Sequence, residues 1–230
     1  MSGVSILIPA RNESQTIGRT LLSIITQIPA EWSAEVIVCD NGSTDATVEE
    51  VMRAARKDSR VRLIRESRAG KTHAWNRLYQ EAKYDIAVFT DADILLGPAV
   101  LPQLVAALEE GPRWVLVGAR SVPYRKSLSA WHRFVAAVTQ PDREQTWIVG
   151  RMYALRRAAF SRRMKELGLA RMPEILAAED TWVSLVAGRE HWQVESDAIV
   201  YHMPYTLSEF ARIERRHLMS LDQLSRECPQ

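Results

Sequence analysis

The chain has 230 residues, 47% hydrophobic and 25% charged, which suits one globular domain with a full core and no need of a disulfide staple. Lys and Arg total 30 and Asp and Glu 28, a net charge of +2; so even a balance argues against a non-specific nucleic-acid binder, and no nucleic-acid partner is expected. Cys39 and Cys228 have neither disulfide-framework nor metal spacing, the first residues lack a basic n-region, and no run approaches 18 apolar residues, so a cytoplasmic protein is expected.

The predicted elements alternate. Val4–Ala10 reads as a buried strand. Ser14–Gln27 reads as a helix with Ile17, Leu21, Leu22, Ile24, Ile25 and Ile28 on its apolar stripe. Glu35–Cys39 is a second strand, and Asp45–Lys57 a helix with Val48, Val51, Met52 and Ala55 on one face. Val61–Ile64 (strand), Lys71–Ala82 (helix), Ile86–Thr90 (strand), Pro98–Glu109 (helix) and Trp114–Ala119 (strand) follow. Pro98 suits a first helical turn and Gly111 a helix stop. The second half is less regular: a strand within Trp147–Leu155, a basic helix over Arg156–Leu167, a helix over Thr181–Gly188, a strand region over Trp192–His202, and an amphipathic helix over Thr206–Ser225.

Repeated strand–helix–strand units with fully apolar strands predict an α/β fold: a Rossmann-like, mostly parallel sheet with helices on both faces, in a single domain over 1–230. Ligands of such sheets bind beyond the carboxyl ends of the strands. Attention therefore falls on Ala10–Glu13, Asp40–Asp45 and Asp91–Asp93. Asp91 and Asp93 are two apart at a strand end, so both carboxylates can face one crevice. Bunched carboxylates repel unless a cation sits between them, and oxygen ligands suit Mg²⁺ or Mn²⁺. A solvated turn is the plainer reading. Asp40 follows an apolar strand directly and is placed to accept a nucleobase ring N–H. Ser43, Thr44 and Asp45 fit turn chemistry, with Ser43 or Thr44 as helix cap.

Arg68-Ala69-Gly70-Lys71-Thr72 mimics the end of a P-loop, but Arg65 stands where the first Gly belongs. Lys71 at a helix start meets either phosphate or solvent. Asp180 reads as an N-cap or as something sharper, His202 as a hydrogen-bonded structural histidine. The cluster Arg156, Arg157, Arg162, Arg163 and Lys165 reads as a solvated face, and the tryptophans as core or cleft-lining residues.

As an ordered set these residues resemble the family 2 glycosyltransferases with the GT-A fold. Ile8-Pro9-Ala10-Arg11-Asn12-Glu13 is similar to that family's opening strand and turn, and Val38-Cys39-Asp40-Asn41-Gly42-Ser43-Thr44-Asp45 to its nucleotide turn, with Asn41 where a second Asp is frequent. Gly70-Lys71-x-x-Ala74-x-Asn76 resembles the segment after the third strand. Phe89-Thr90-Asp91-Ala92-Asp93 resembles the metal motif. Gly150 lies in a segment like the acceptor-side strand, Glu179-Asp180 resembles the catalytic-base motif, and Ala198–His202 the late strand ending in His.

The resemblance implies transfer of a sugar from a nucleotide diphosphate sugar (UDP foremost, GDP or dTDP as alternatives) to an acceptor hydroxyl. It puts the nucleotide-sugar half at about 1–120 and the acceptor half with its C-terminal helix at about 121–230. Pro9, Arg11, Glu13, Asp40, Asn41, Gly70, Lys71, Asp91 and Ala92 would bind the donor. Asp93, Asp91 and His202 would hold the metal. Asp180 would be the base, with Glu179 orienting it, and Gly150 and Glu179 would face the acceptor. In the following helix Trp182, Leu185 and Val186 define the expected buried stripe. Processive members carry Gln-x-x-Arg-Trp, whereas Arg212-Ile213-Glu214-Arg215-Arg216 stands here, so a single-addition enzyme is implied. Direct displacement with one base implies inversion, with retention, which some related GT-A families reach with a His such as His202, as the alternative. A nucleotidyltransferase would need a Gly-rich N-terminal loop, which is absent. A non-catalytic nucleotide-sugar-binding module would need no base. The Thr206–Ser225 stripe with Arg212, Arg215 and Arg216 is open to peripheral contact with an anionic membrane or to packing on the domain.

Overall fold

The computed structural model describes residues 3–123, 151–174, 176 and 179–202. Gly150, the Thr206–Ser225 stripe and Cys228 lie outside the described residues.

The described residues form one eight-stranded sheet in the order β3-β2-β1-β4-β7-β6-β8-β5. The strands are β1 (Val4–Ala10), β2 (Ala34–Asp40), β3 (Val61–Arg65), β4 (Ile86–Thr90), β5 (Ile94–Leu96), β6 (Leu116–Pro123), β7 (Met152–Arg156) and β8 (Trp192–His202). The helices are α1 (Ile17–Ile25), α2 (Thr47–Lys57), α3 (Lys71–Glu81), α4 (Val100–Glu109), α5 (Arg157–Glu166) and α6 (Glu179–Ala187). β1, β2, β3 and β4 pair in parallel. β7 runs antiparallel to both β4 and β6, β8 is parallel to β6, and β5 is antiparallel to β8. The sheet is therefore mixed: its first four strands pair in parallel, and β6 and β8 add a further parallel pair in the second half of the chain.

Strand alternation sorts the core into two layers. Ile6, Ile8, Val36, Val38 and Val88 face α1, α2 and α4. Leu7, Ile37, Cys39, Ala87 and Phe89 face α3, α5 and α6. Both faces of the central strands are covered, which is why those strands read as unbroken apolar runs rather than alternating ones.

The helices match the expected stripes with corrections. Ile17, Leu21 and Ile24 are fully buried, a spacing of i, i+4, i+7, but Leu22 is 63% exposed and Met52 and Leu185 also face outward. On α6 the buried set is Glu179, Thr181, Trp182, Val183, Ser184, Val186 and Ala187, so Val183, not Leu185, joins Trp182 and Val186 in the core. α2 begins at Thr47, and its first N–H is met by Asp45 Oδ1 at 3.0 Å, not by Ser43 or Thr44. β5 was not anticipated: three residues are too short to show a period, and they become a strand only because β8 offers an edge. Gly97 follows β5 and donates its N–H to Ile199 O at 2.8 Å. A Cβ there would lie 2.7 Å from that same oxygen, so only glycine permits this approach.

Candidate active site

The chain proceeds from β1 outward to β2 and β3, then returns to place β4 on the other side of β1. This reversal is a topological switch point, where the loops leaving β1 and β4 part and leave a crevice. A cleft of about 260 Å³ lies there, lined by Pro9 at the end of β1, Arg11 and Glu13 after it, Asn41 after β2, Gly70 and Lys71 at the start of α3, and Asp91, Ala92 and Asp93 after β4. Most of the residues expected to bind the donor thus come together. Asp40 is outside this lining; it is buried at the end of β2, and its Oδ1 accepts the Ser43 N–H at 3.1 Å.

The loops are fixed by short polar side chains. Asn12 N–H donates to Ser43 Oγ at 3.0 Å, and Asn12 Oδ1 accepts the Thr44 N–H at 2.8 Å. Asp45 Oδ2 accepts the Ser14 N–H at 3.1 Å, and these hydrogen bonds with the Thr47 bonds pull its carboxyl down to about 2. Asn41 works in both directions. Its Nδ2 donates to Glu66 O at 3.2 Å and Arg68 O at 2.7 Å, while its Oδ1 accepts the Gly70 N–H at 2.8 Å. That amide sets the path of the loop leading to α3. Gly70 has φ +134°, a conformation that favours glycine.

Lys71 is not a solvated lysine. Its Nζ donates to Asp91 Oδ1 at 2.8 Å and forms a second ion pair with Glu179. Desolvation pulls the ammonium's pKa down, but Asp91 and Glu179 outweigh it and hold the group well above the ordinary lysine value. Glu179 is buried in the first turn of α6; burial raises its carboxyl and Lys71 opposes the shift. Asp180, next on α6, accepts the Thr181 N–H on Oδ1 at 2.9 Å. A small recess beside the main cleft is lined by Lys71, Asp91, Trp75, Tyr153 and Glu179. Trp75 Nε1 donates to Tyr153 Oη at 2.7 Å, and the Trp75 ring stacks on Phe89 at 4.7 Å between centroids.

The cleft is anionic. Burial and the charge of Asp91 raise Asp93. Burial, with Asp93 and Asp91 behind it, raises Glu13 despite the hydrogen bond from Thr16. Arg151 approaches Asp93 at 3.8 Å and Asp91 at 4.0 Å. Carboxylates gathered closely enough to raise Asp93 and Glu13 make a site where added positive charge is favourable, and oxygen donors of this kind suit Mg²⁺ or Mn²⁺. His202 is buried opposite Ile94 in the β5–β8 register, one residue from Asp93. Among the described residues no three His, Cys, Asp or Glu side chains gather tightly enough to hold a metal. The expected set Asp91, Asp93 and His202 is thus not a preformed cage. Lys71 takes one oxygen of Asp91 and Arg151 approaches the other.

The family model for glycosyl transferase family 2 matches residues 5–165. The chain belongs to that family. Proteins with related sequences include glycosyltransferase AglD of Haloferax volcanii, 32% identical over 53% of this chain and 20% of that protein. Another is dolichol-phosphate mannosyltransferase of Pyrococcus furiosus, 30% identical over 60% of this chain and 41% of that protein. The chain therefore spans less than half the length of these curated relatives. Among solved structures, the mannosyltransferase PcManGT of Pyrobaculum calidifontis in complex with GDP-Man and Mn²⁺ superposes with a TM-score of 0.74 at 25% identity, covering 96% of this chain and 62% of that one. The GT-A architecture expected for a family 2 glycosyltransferase is the one observed.

Sequence reading missed one charged residue beside this family 2 site and misread two arginines outside it. Arg151 enters because β7 pairs antiparallel with β4 and sets the Arg151 carbonyl on the Asp91 N–H at 2.8 Å; no local motif marks it, although it adjoins the expected Gly150. Arg156 and Arg157 are not a solvated face. They donate to the carbonyls of Leu108 at 2.7 Å and of Tyr79 and Tyr84 at 2.9 and 3.1 Å. Among the described residues no helix is long and apolar enough to cross a membrane.

Proposed function

We propose that this chain transfers one sugar from a nucleoside diphosphate sugar to an acceptor hydroxyl, with a divalent metal and with inversion. The observation that carries the reading is the placement of Asp91 and Asp93 at the β1/β4 switch point, with Lys71 spanning from Asp91 to the start of α6, where Glu179 and Asp180 lie. A donor diphosphate fits the cleft, and an acceptor approaches from the α6 side. The Mn²⁺ and GDP-Man in the PcManGT complex support this class of donor.

Asp40 accepts the ring N–H of the base, which uracil, thymine and guanine present and cytosine does not. UDP is the first candidate, with GDP and dTDP as alternatives. Pro9, Arg11, Glu13, Asn41, Gly70 and Ala92 shape the donor cradle. Asp93 with Asp91 would hold Mg²⁺ or Mn²⁺, with His202 beside the diphosphate, and a cation held there would supply positive charge against the leaving nucleotide. Lys71 at the N-terminus of α3 adds a second positive charge there. Asp180 sits in the first turn of α6, at the positive end of the helix dipole. It takes the proton of the acceptor hydroxyl as that oxygen attacks the anomeric carbon and the nucleoside diphosphate departs. Glu179 orients Asp180 and the acceptor, with Gly150 on the acceptor side. A single displacement of this kind inverts the anomeric centre.

The test is release of free nucleoside diphosphate from UDP-, GDP- and dTDP-sugars incubated with Mn²⁺ and lysate-derived acceptors. Metal-dependent release from one donor class is expected. Metal-dependent binding without release under any acceptor mixture would instead make the chain a nucleotide-sugar-binding module.

A further inference from the structure

The turn that carries Asp91 and Asp93 links β4 to the three-residue β5. It is tied at Asp91, whose N–H donates to Arg151 O at 2.8 Å and whose Oδ1 accepts from Lys71 at 2.8 Å, and on either side of Asp93 it is held by α1. Thr20, on the second turn of α1 and 1% exposed, places its Oγ1 2.9 Å from Ala92 O and 2.9 Å from Ile94 O. A weaker contact runs to Thr16 O at 3.3 Å. One hydroxyl proton is thus shared between the carbonyls immediately before and after Asp93. Seven residues later, in the turn just beyond the C-terminal end of α1, Gln27 holds the other end. Its Nε2 donates to Gly97 O at 2.6 Å, and its Oε1 accepts the Leu101 N–H at 3.1 Å. The N-terminal end of α1 grows directly out of the Arg11–Glu13 loop, where Glu13 O accepts the N–H groups of Thr16 and Ile17.

One helix therefore connects both walls of the cleft. We infer that Thr20 is a positioning residue for Asp93: by pinning the carbonyls on either side, it fixes the direction in which that carboxylate leaves the backbone. Gln27 fixes the far end of the same segment. The inference rests on the reading that Asp93 serves a metal and diphosphate. Its physical basis is independent of that reading. A peptide segment anchored at residues 92, 94, 97 and 101 has little freedom to rotate, and side-chain aim at a site must hold to about 0.5 Å to be productive. Thr20 touches neither ligand, so its effect is indirect, and nothing at the level of sequence motif points to it.

The experiment compares Thr20→Val, which keeps the shape and removes the hydroxyl, with Thr20→Ser, which keeps the hydroxyl. The probes are UDP and GDP, titrated with and without Mn²⁺, and amide hydrogen exchange over residues 91–96. Thr20→Val is expected to weaken Mn²⁺-dependent nucleotide binding at least ~5-fold, to leave metal-free binding within ~2-fold, and to speed exchange in 91–96. Thr20→Ser is expected to behave as wild type in all three. Equal weakening of metal-free and metal-dependent binding, unchanged exchange, or a Thr20→Ser variant as impaired as Thr20→Val overturns the inference. Should Thr20→Val not fold, Thr20→Ala removes the same hydroxyl with less buried bulk and is judged by the same readouts. If wild type binds neither nucleotide with Mn²⁺, the proposed function fails, and the positioning role is then decided by exchange alone.

Discussion

Replacing Lys71 with Met keeps most of the aliphatic stem and deletes the charge between Asp91 and Glu179. The Glu179 side chain is 11% exposed and that of Lys71 43%, so the pair is neither fully buried nor on the surface. Breaking a buried pair costs about 3–5 kcal/mol because one charge is left stranded, whereas an exposed pair is worth about 0–1 kcal/mol. Discounted for the open side of Lys71, the expected loss is about 1–2 kcal/mol. In a domain of this size that lowers Tm by roughly 2–8 °C. The pH dependence identifies the cause. Burial already raises Glu179, with Lys71 opposing. A carboxyl raised in the folded state favours folding while protonated, below its unfolded value of 4.5, and loses that contribution as pH climbs through its folded value. Without Lys71 the folded value rises further, so the Tm deficit of Lys71→Met grows as pH rises above 4.5. Differential scanning fluorimetry across that range measures it. A deficit that is constant with pH, or absent, would show that Lys71 does not neutralise Glu179 in the folded protein.

Other outcomes follow from the same geometry. Asp180→Asn should lose at least ~10²-fold in turnover while binding donor and metal nearly normally, and Glu179→Gln should lose less; steady-state kinetics showing Glu179→Gln as the dead variant would exchange the two roles. Asn41→Asp should cost about 1–3 kcal/mol in urea denaturation, because a carboxylate cannot donate to Glu66 O and Arg68 O. A fully stable Asn41→Asp would show that the amide is not what orders the 66–70 loop.

The parallel half of the sheet was legible from its apolar runs because strands buried on both faces leave no alternation to misread, and the cleft followed from where those strands end. Its donor-side residues carry local turn chemistry, so Pro9 to Glu13 and Asp91 to Asp93 could be picked out in order. What the sequence did not show depends on pairing across distance. Arg151 reaches Asp91 and Asp93 only through the β4–β7 register. Thr20 looks like an ordinary buried helix residue until Ala92 and Ile94 are laid beside it. Lys71 was placed at a helix start, but its bridge to Glu179 joins residues 108 positions apart, since 179 − 71 = 108. Leu185 was put in the core because heptad-like spacing cannot separate it from Val183, and packing against Trp75 and Phe160 selects the face that carries Trp182.

The most direct test is calorimetric titration of UDP and GDP into wild type and Asp93→Asn, each with and without Mn²⁺. Two bunched carboxylates at the switch point should make at least one nucleotide bind wild type ~10-fold or more tightly with the metal, and Asp93→Asn should lose that gain while keeping its fold. Equal affinity with and without Mn²⁺ in wild type, for both nucleotides, would contradict the assignment of Asp91 and Asp93 to a metal-assisted donor site.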